Sequence, residues 1–157
     1  MPLLIVGLVF ISVIFILEGA IIGKFLPTTA IFPAYLLMFD ISISHTIPIV
    51  IFASISATIG QVLAFKTVTK SSNYKNKFQK KIQKSKIYTT VTHYFKKISP
   101  NTLLVTNIIP GIRGLCILPI AKNKSYTKKE IIIASFAGNL SYFAILANIV
   151  ILSKILF

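Results

Sequence analysis

The stretch "TLLVTNIIPGIRGLCILPIA", Thr102–Ala121, decides how the rest of the chain is arranged. It is apolar enough to enter a bilayer, yet Pro110, Gly111, Gly114 and Pro119 interrupt it. It also holds Arg113, the one arginine of the chain. About 20 apolar residues make one helical crossing, and proline–glycine breaks of this kind mark turns. The segment therefore either crosses once as a broken helix or enters, turns and leaves on the side it came from.

The charges on either side choose between these. Ten lysines lie between Lys66 and Lys97, and four more between Lys122 and Lys129. Lysine-rich loops beside apolar segments face the cytoplasm, so loops 66–98 and 122–129 are both expected there, at the surface of the cell membrane. A single crossing by Thr102–Ala121 would separate them. A re-entrant hairpin keeps them together, and irregular backbone is tolerated at that depth where it lines a wet cavity or is buried in protein.

Composition agrees with a multi-pass membrane protein. The 157 residues are 55% hydrophobic and 13% charged, with a mean hydropathy of +0.82. A soluble domain carries about a quarter charged residues. Three further apolar regions stand out, Pro2–Phe39, Thr46–Phe65 and Ile131–Phe157. The start has no basic leader region and no small-residue cleavage pattern, so it reads as an uncleaved membrane segment rather than a secretory signal. The net charge of +14 then points to anionic lipid headgroups, with no nucleic-acid partner expected. One cysteine, Cys116, allows no internal disulfide, and His45 and His93 have no ligand cluster near them, so no metal is expected. Without a phosphate-binding glycine loop, ATP-driven chemistry is not expected, and no cofactor is implied. No nucleophile–base pair can be assembled, so an enzyme is the least supported class.

The N-terminal half repeats the same grammar. "GKFLPTTAIFPAYLLMF", Gly23–Phe39, is apolar but interrupted at Gly23, Pro27 and Pro33, with Thr28 and Thr29 available to bond freed backbone groups. If Thr46–Phe65 runs inward to the basic loop, the Pro27 segment begins and ends outside. "FLPTTAI" and "IIPGIRG" then resemble inverted repeats entering from opposite faces, and paired interrupted segments are the sequence pointer to a transporter's binding site. The expected architecture is all-α, with two opposed re-entrant hairpins in an inverted repeat, transmembrane helices and an amphipathic linker. It forms one domain over 1–157: an N-terminal half 1–65, a basic linker 66–98 and a C-terminal half 99–157. Within the linker, Phe78, Ile82, Ile87, Val91, Phe95 and Ile98 approximate an apolar stripe with lysines opposite, as in a helix lying on a membrane surface. A solvated basic linker is the competing reading.

Five charged residues need individual weighing. Glu18 follows a long apolar run, and a charge at membrane depth costs roughly 2.5–3.5 kcal/mol on insertion scales, so such residues usually carry function. The plainer reading puts it in headgroup water at a helix end. Arg113 cannot shed its proton and needs a carboxylate, carbonyls, water or phosphate. Its planar donors suit a lipid phosphate, Glu18 is its obvious internal counter-ion, and snorkelling from a shallow hairpin is the plainer alternative. Asp40 reads as a loop residue, and Glu130 as a helix-capping acid. Lys24 reads as a snorkelling lysine, with a second cation facing the cavity as the alternative.

Together, the acid ahead of a Leu-Pro hairpin, the basic linker, "TNIIPGIRGLCILPIA" and "YTKKEIIIASFAGNLSYFAIL" resemble the DedA family, the VTT-domain, SNARE-associated-Golgi-like membrane proteins. The resemblance covers roughly Phe15 to Leu146. Pro110 matches the motif proline, Arg113 its second arginine, Pro119 the later proline, Tyr142 the aromatic position and Glu18 the membrane glutamate. Asn107 stands where the family has its first arginine, Lys122 where it has a glycine, and Thr28-Thr29 where some members carry an aspartate. The resemblance implies lipid transport, by flipping or scrambling of polyprenyl phosphate or phospholipid through a polar seam between the hairpins. The implied substrate-binding set is Arg113, Glu18, Asn107, Pro110, Gly111, Pro27, Thr28 and Thr29, with Lys24, Lys80, Lys81 and Lys84 touching lipid headgroups. Membrane lipids are the expected partners, with protons as a further one, and a homo-oligomer is compatible with the sequence. Two other functions compete. One is a proton- or ion-coupled small-solute transporter in which Glu18 titrates; the other is a non-transporting membrane scaffold working through its basic loop.

Overall fold

The computed structural model describes residues 2–20, 28–70, 99–110, 117, 120 and 126–156. The described residues form an all-helical bundle: α1 (Pro2–Gly19), α2 (Thr28–Met38), α3 (Ile43–Lys70), α4 (Pro100–Ile108) and α5 (Lys128–Leu156). Two segments, Ile43–Thr67 of α3 and all of α5, are long and apolar enough to cross a membrane. At 1.5 Å per residue they reach roughly 38 and 43 Å, against a hydrocarbon core of about 30 Å. By the same rise α2 and α4 reach only about half of that thickness.

Local chemistry sets the helix ends. Ser99 caps α4 through a reciprocal capping box with Thr102, and Pro100 sits in the first turn, where its missing N–H is harmless. At the other end Ile109 is extended (φ −89°, ψ 119°), because a residue before proline is pushed out of the helical region. The break expected at Pro110 is therefore present. Beyond it, Ile117 and Ile120 are helical and fully buried. The capping expected of Glu130 is also present: its carboxylate accepts from the Thr127 N–H and hydroxyl at 2.8 Å each, and Thr127 Oγ1 accepts from the Glu130 N–H at 3.3 Å.

Pro33 does not interrupt the chain as its sequence context suggests; it lies inside α2. Its ring removes the single bond that would reach the Thr29 carbonyl, and the burial of Phe32, Tyr35 and Leu36 on one face holds the helix across the gap. Pro48 is accommodated inside α3 in the same way, so that helix is longer at both ends than the apolar run Thr46–Phe65.

Contacts fix the directions. Gly7 of α1 packs on Tyr35 and Phe39, while Glu18 meets Thr28, so α1 and α2 are antiparallel. Thr58 and Gln61 of α3 meet Asn139 of α5, while Ile43 and Thr46 share a cleft with Val150 and Lys154, so α3 and α5 are antiparallel too. The lysine-bearing ends of α3 (Lys66, Lys70) and α5 (Lys128, Lys129) thus lie at one end of the bundle. At the other end Asp40 adopts φ 43°, a left-handed conformation that aspartate tolerates better than most residues. Its carboxylate accepts from Lys154 Nζ at 2.7 Å, tying the end of α5 to the α2–α3 corner. That hydrogen bond, then the lysine charge, holds the Asp40 carboxyl below its ordinary value.

Two kinds of contact close the bundle. Phe15, Phe32 and Phe143, from α1, α2 and α5, form a fully buried aromatic cluster with ring centroids 4.8 to 6.1 Å apart. Elsewhere glycines let backbones touch. Gly19 of α1 lies against the Ala57 carbonyl, and Gly60 of α3 against the Ile16 carbonyl. At Gly138 of α5, a Cβ would stand 2.7 Å from the Leu104 carbonyl oxygen and 2.7 Å from Asn107 Cβ of α4.

The outer surface is apolar. Along α3, Ile43, Ile47, Ile51, Ile55, Ile59 and Leu63 form an exposed ridge at four-residue steps, with Ile47 63% exposed. Ser54, Ser56, Thr58 and Gln61 of the same helix are buried. Outward isoleucine and inward polar residues reverse the usual amphipathic order of a helix in water.

Candidate functional site: a polar seam inside the bundle

The inward polar residues form two facing stripes. Ser54, Thr58 and Gln61 of α3, and Ser135, Asn139 and Tyr142 of α5, are each spaced i, i+4, i+7, which places each set on one helix face. The third contributor is Asn107 at the end of α4, brought close by the absence of a side chain at Gly138. Gln61, Asn107 and Asn139 are all fully buried. Gln61 and Asn107 exchange two hydrogen bonds: Gln61 Nε2 donates to Asn107 Oδ1 at 2.9 Å, and Asn107 Nδ2 donates to Gln61 Oε1 at 3.1 Å. Asn139 Nδ2 donates to Thr58 Oγ1 at 3.0 Å and lies 3.5 Å from Gln61 Oε1. Asn107 Nδ2 also reaches the Ser135 carbonyl at 3.5 Å. Three helices are thus joined through side-chain amides.

The seam continues toward α1 and α2. The turn carrying Glu18 packs on the turn carrying Gln61, since Gly19 sits against Ala57 and the Gln61 backbone nitrogen. Glu18 is half-buried, and its Oε1 accepts from the Thr28 hydroxyl at 2.6 Å. Next to it, the Thr29 and Tyr142 hydroxyls are 3.0 Å apart. Tyr142 is buried and ring-packed on Phe143, so its hydroxyl reaches the seam from an apolar footing. A carboxylate, six hydroxyl-bearing residues and three amides therefore lie between helices whose outside is apolar, with Thr29 at the exposed end. Inside an apolar exterior the buried amides and Thr58 find their hydrogen-bond partners in one another.

The site residues expected from sequence fall into two groups. Glu18, Thr28, Thr29 and Asn107 line this seam, while Pro110 is exposed just past the end of α4. Arg113, Gly111, Pro27, Lys24, Lys80, Lys81 and Lys84, and with them the amphipathic linker stripe, lie outside the described residues. Gln61, Asn139, Thr58 and Ser135 were not singled out in the sequence. Their signal is the i, i+4, i+7 spacing of polar residues inside otherwise apolar runs, which two asparagine- and glutamine-bearing helices share.

Compared with known proteins, the chain matches no family model, no curated protein and no solved structure.

Proposed function

We propose that this chain is a multi-pass membrane protein of the DedA type that moves phosphate-bearing lipids, phospholipid or polyprenyl phosphate, across the bilayer along the polar seam. The observation that carries the reading is the seam itself, a path from Glu18 and Thr28 to Asn107 inside an outwardly apolar bundle. A bilayer accounts for both faces. Each isoleucine of the α3 ridge, about half exposed, would forfeit about 1 kcal/mol of burial in water, and lipid removes that loss. The lysine-bearing ends of α3 and α5, together at one end, follow the positive-inside rule with both basic loops cytoplasmic. α2, the described part of the Gly23–Phe39 segment, runs antiparallel to α1 and suits one arm of the first re-entrant hairpin. The short α4, stopped before Pro110, suits one arm of the second. Arg113, six residues beyond Asn107, serves as the phosphate-receiving group, while the lipid tail stays in the hydrocarbon beside the bundle.

Glu18 favours a second reading, proton-coupled transport of a small solute, because a carboxylate in the seam can carry a proton. One reconstitution separates the two. Liposomes containing the protein and labelled phospholipid or polyprenyl phosphate should exchange label between leaflets faster than protein-free liposomes. Glu18→Gln and Arg113→Gln should each abolish the excess rate, and Arg113→Lys should be clearly impaired, because an ammonium lacks the planar two-point donor. A wild-type rate equal to that of protein-free vesicles sinks lipid transport. Full activity in Arg113→Lys would leave charge alone as the requirement.

A further inference from the structure

On the outer surface, α3 and α5 leave a groove of about 440 Å³ between them, lined by Ile55, Ile59, Val62, Leu63, Ile132 and Phe136. Two polar residues complete it, Thr58 along its wall and Lys66 at its end. Thr58 is also the hydroxyl that accepts from Asn139 in the seam, so the groove abuts the buried amides from outside. The geometry points to a binding site for one anionic phospholipid, its acyl chain lying along the groove and its headgroup held by Lys66. This inference rests on the membrane reading above but assigns a site on the outer surface, apart from Glu18 and the buried amides.

Length, chemistry and charge each favour that occupant. From Ile55 to Lys66 the helix rises roughly 16 Å, the depth of one leaflet of a hydrocarbon core about 30 Å thick. A chain anchored at Lys66 therefore ends near the level of Ile55, within the thickness of its own leaflet. The walls offer branched and aromatic carbon, which suits a flexible alkyl chain, and Thr58 is the one polar residue along them. Lys66 lies at the end of the bundle that also carries Lys70, Lys128 and Lys129, with no acidic residue among those lining the groove. A headgroup there meets positive charge, so the site selects anionic over zwitterionic lipid. The groove is also open along the bilayer-facing ridge, at Ile55, Ile59 and Leu63, so a lipid enters sideways from its own leaflet.

The test is lipid retention, read by native mass spectrometry of the full chain released from mixed micelles containing phosphatidylglycerol and phosphatidylcholine. Wild type should retain phosphatidylglycerol preferentially. One lysine near an anionic surface is worth enough for Lys66→Gln to lower that retention about fivefold, with phosphatidylcholine unchanged. Ile59→Trp, which fills the groove, should lower retention of both lipids, and Lys154→Gln, at the opposite end of the bundle, should change neither. Retention by Lys66→Gln and Ile59→Trp equal to that of wild type overturns the groove assignment and leaves the transport proposal standing. A wild type that retains neither lipid overturns the membrane reading on which both depend.

Discussion

Among the described glycines, Gly60→Ala is expected to be the most damaging change to alanine. The new Cβ would be driven into the Ile16 carbonyl of α1 and against the Ala20 nitrogen just past its end, backbone atoms that cannot rotate aside. The helices would have to part along the Gly19–Gly60 contact, and the displacement would carry Glu18 away from Thr28. Overpacking of this kind costs about 3 kcal/mol, which for a chain of this size lowers the melting temperature by roughly 10 °C. Gly7→Ala is the matched control. There the added carbon meets the ring edges of Phe39 and Tyr35 at 3.1 Å, side-chain atoms that can tilt, and a loss below about 1 kcal/mol is expected. Thermal unfolding of the three proteins in one detergent decides the matter: a Gly60→Ala variant melting with wild type means that α1 and α3 do not pack through these glycines.

Asn107→Leu is expected to be the second large effect. The substitution leaves the Gln61 amide fully buried without the two bonds it exchanges with Asn107. An orphaned buried polar group costs about 1–3 kcal/mol; Gln61 Nε2 becomes one, while Gln61 Oε1 keeps only the 3.5 Å contact from Asn139 Nδ2. The paired change Gln61→Leu with Asn107→Leu should be less damaging than the sum of the singles, because it removes the orphan together with its partner. A coupling of about 1 kcal/mol is expected, within the range found for interhelical hydrogen bonds in membranes. Strict additivity in a double-mutant cycle would show that the two amides do not meet.

These two sites also mark the limit of what the sequence reveals. The long helices were legible because apolar runs of membrane length have few alternatives, and the end of α4 was legible because Pro110 leaves Ile109 no helical choice. Glu130 was legible as a first-turn acid, whereas its partner Thr127 was not singled out. Pro33 misled, since a proline counts as a break in sequence but costs one hydrogen bond in a helix held by Phe32, Tyr35 and Leu36. Glu18 and its Thr28–Thr29 neighbourhood drew notice through charge and through the hairpin motif. Gln61 and Asn139 did not, because neutral amides in an apolar run carry no charge signal. Their meaning comes only from which helix faces which. The same holds for Gly19, Gly60 and Gly138, whose role depends on a backbone brought from elsewhere in the chain.

The central claim is that α3 and α5 cross a bilayer in opposite directions, with both lysine-rich loops on one side and the polar seam held between the helices. Single cysteines tell this most directly, introduced one at a time between Ser71 and Ser85, or at Ser125, in a Cys116→Ala background. Each is exposed to a membrane-impermeant thiol reagent, first with cells sealed and then with inverted vesicles. The expected result is labelling of both loops from the cytoplasmic face alone, with the protein remaining in the membrane fraction after a high-salt wash. Labelling of the two loops from opposite faces, or release of the protein by salt, would contradict the arrangement.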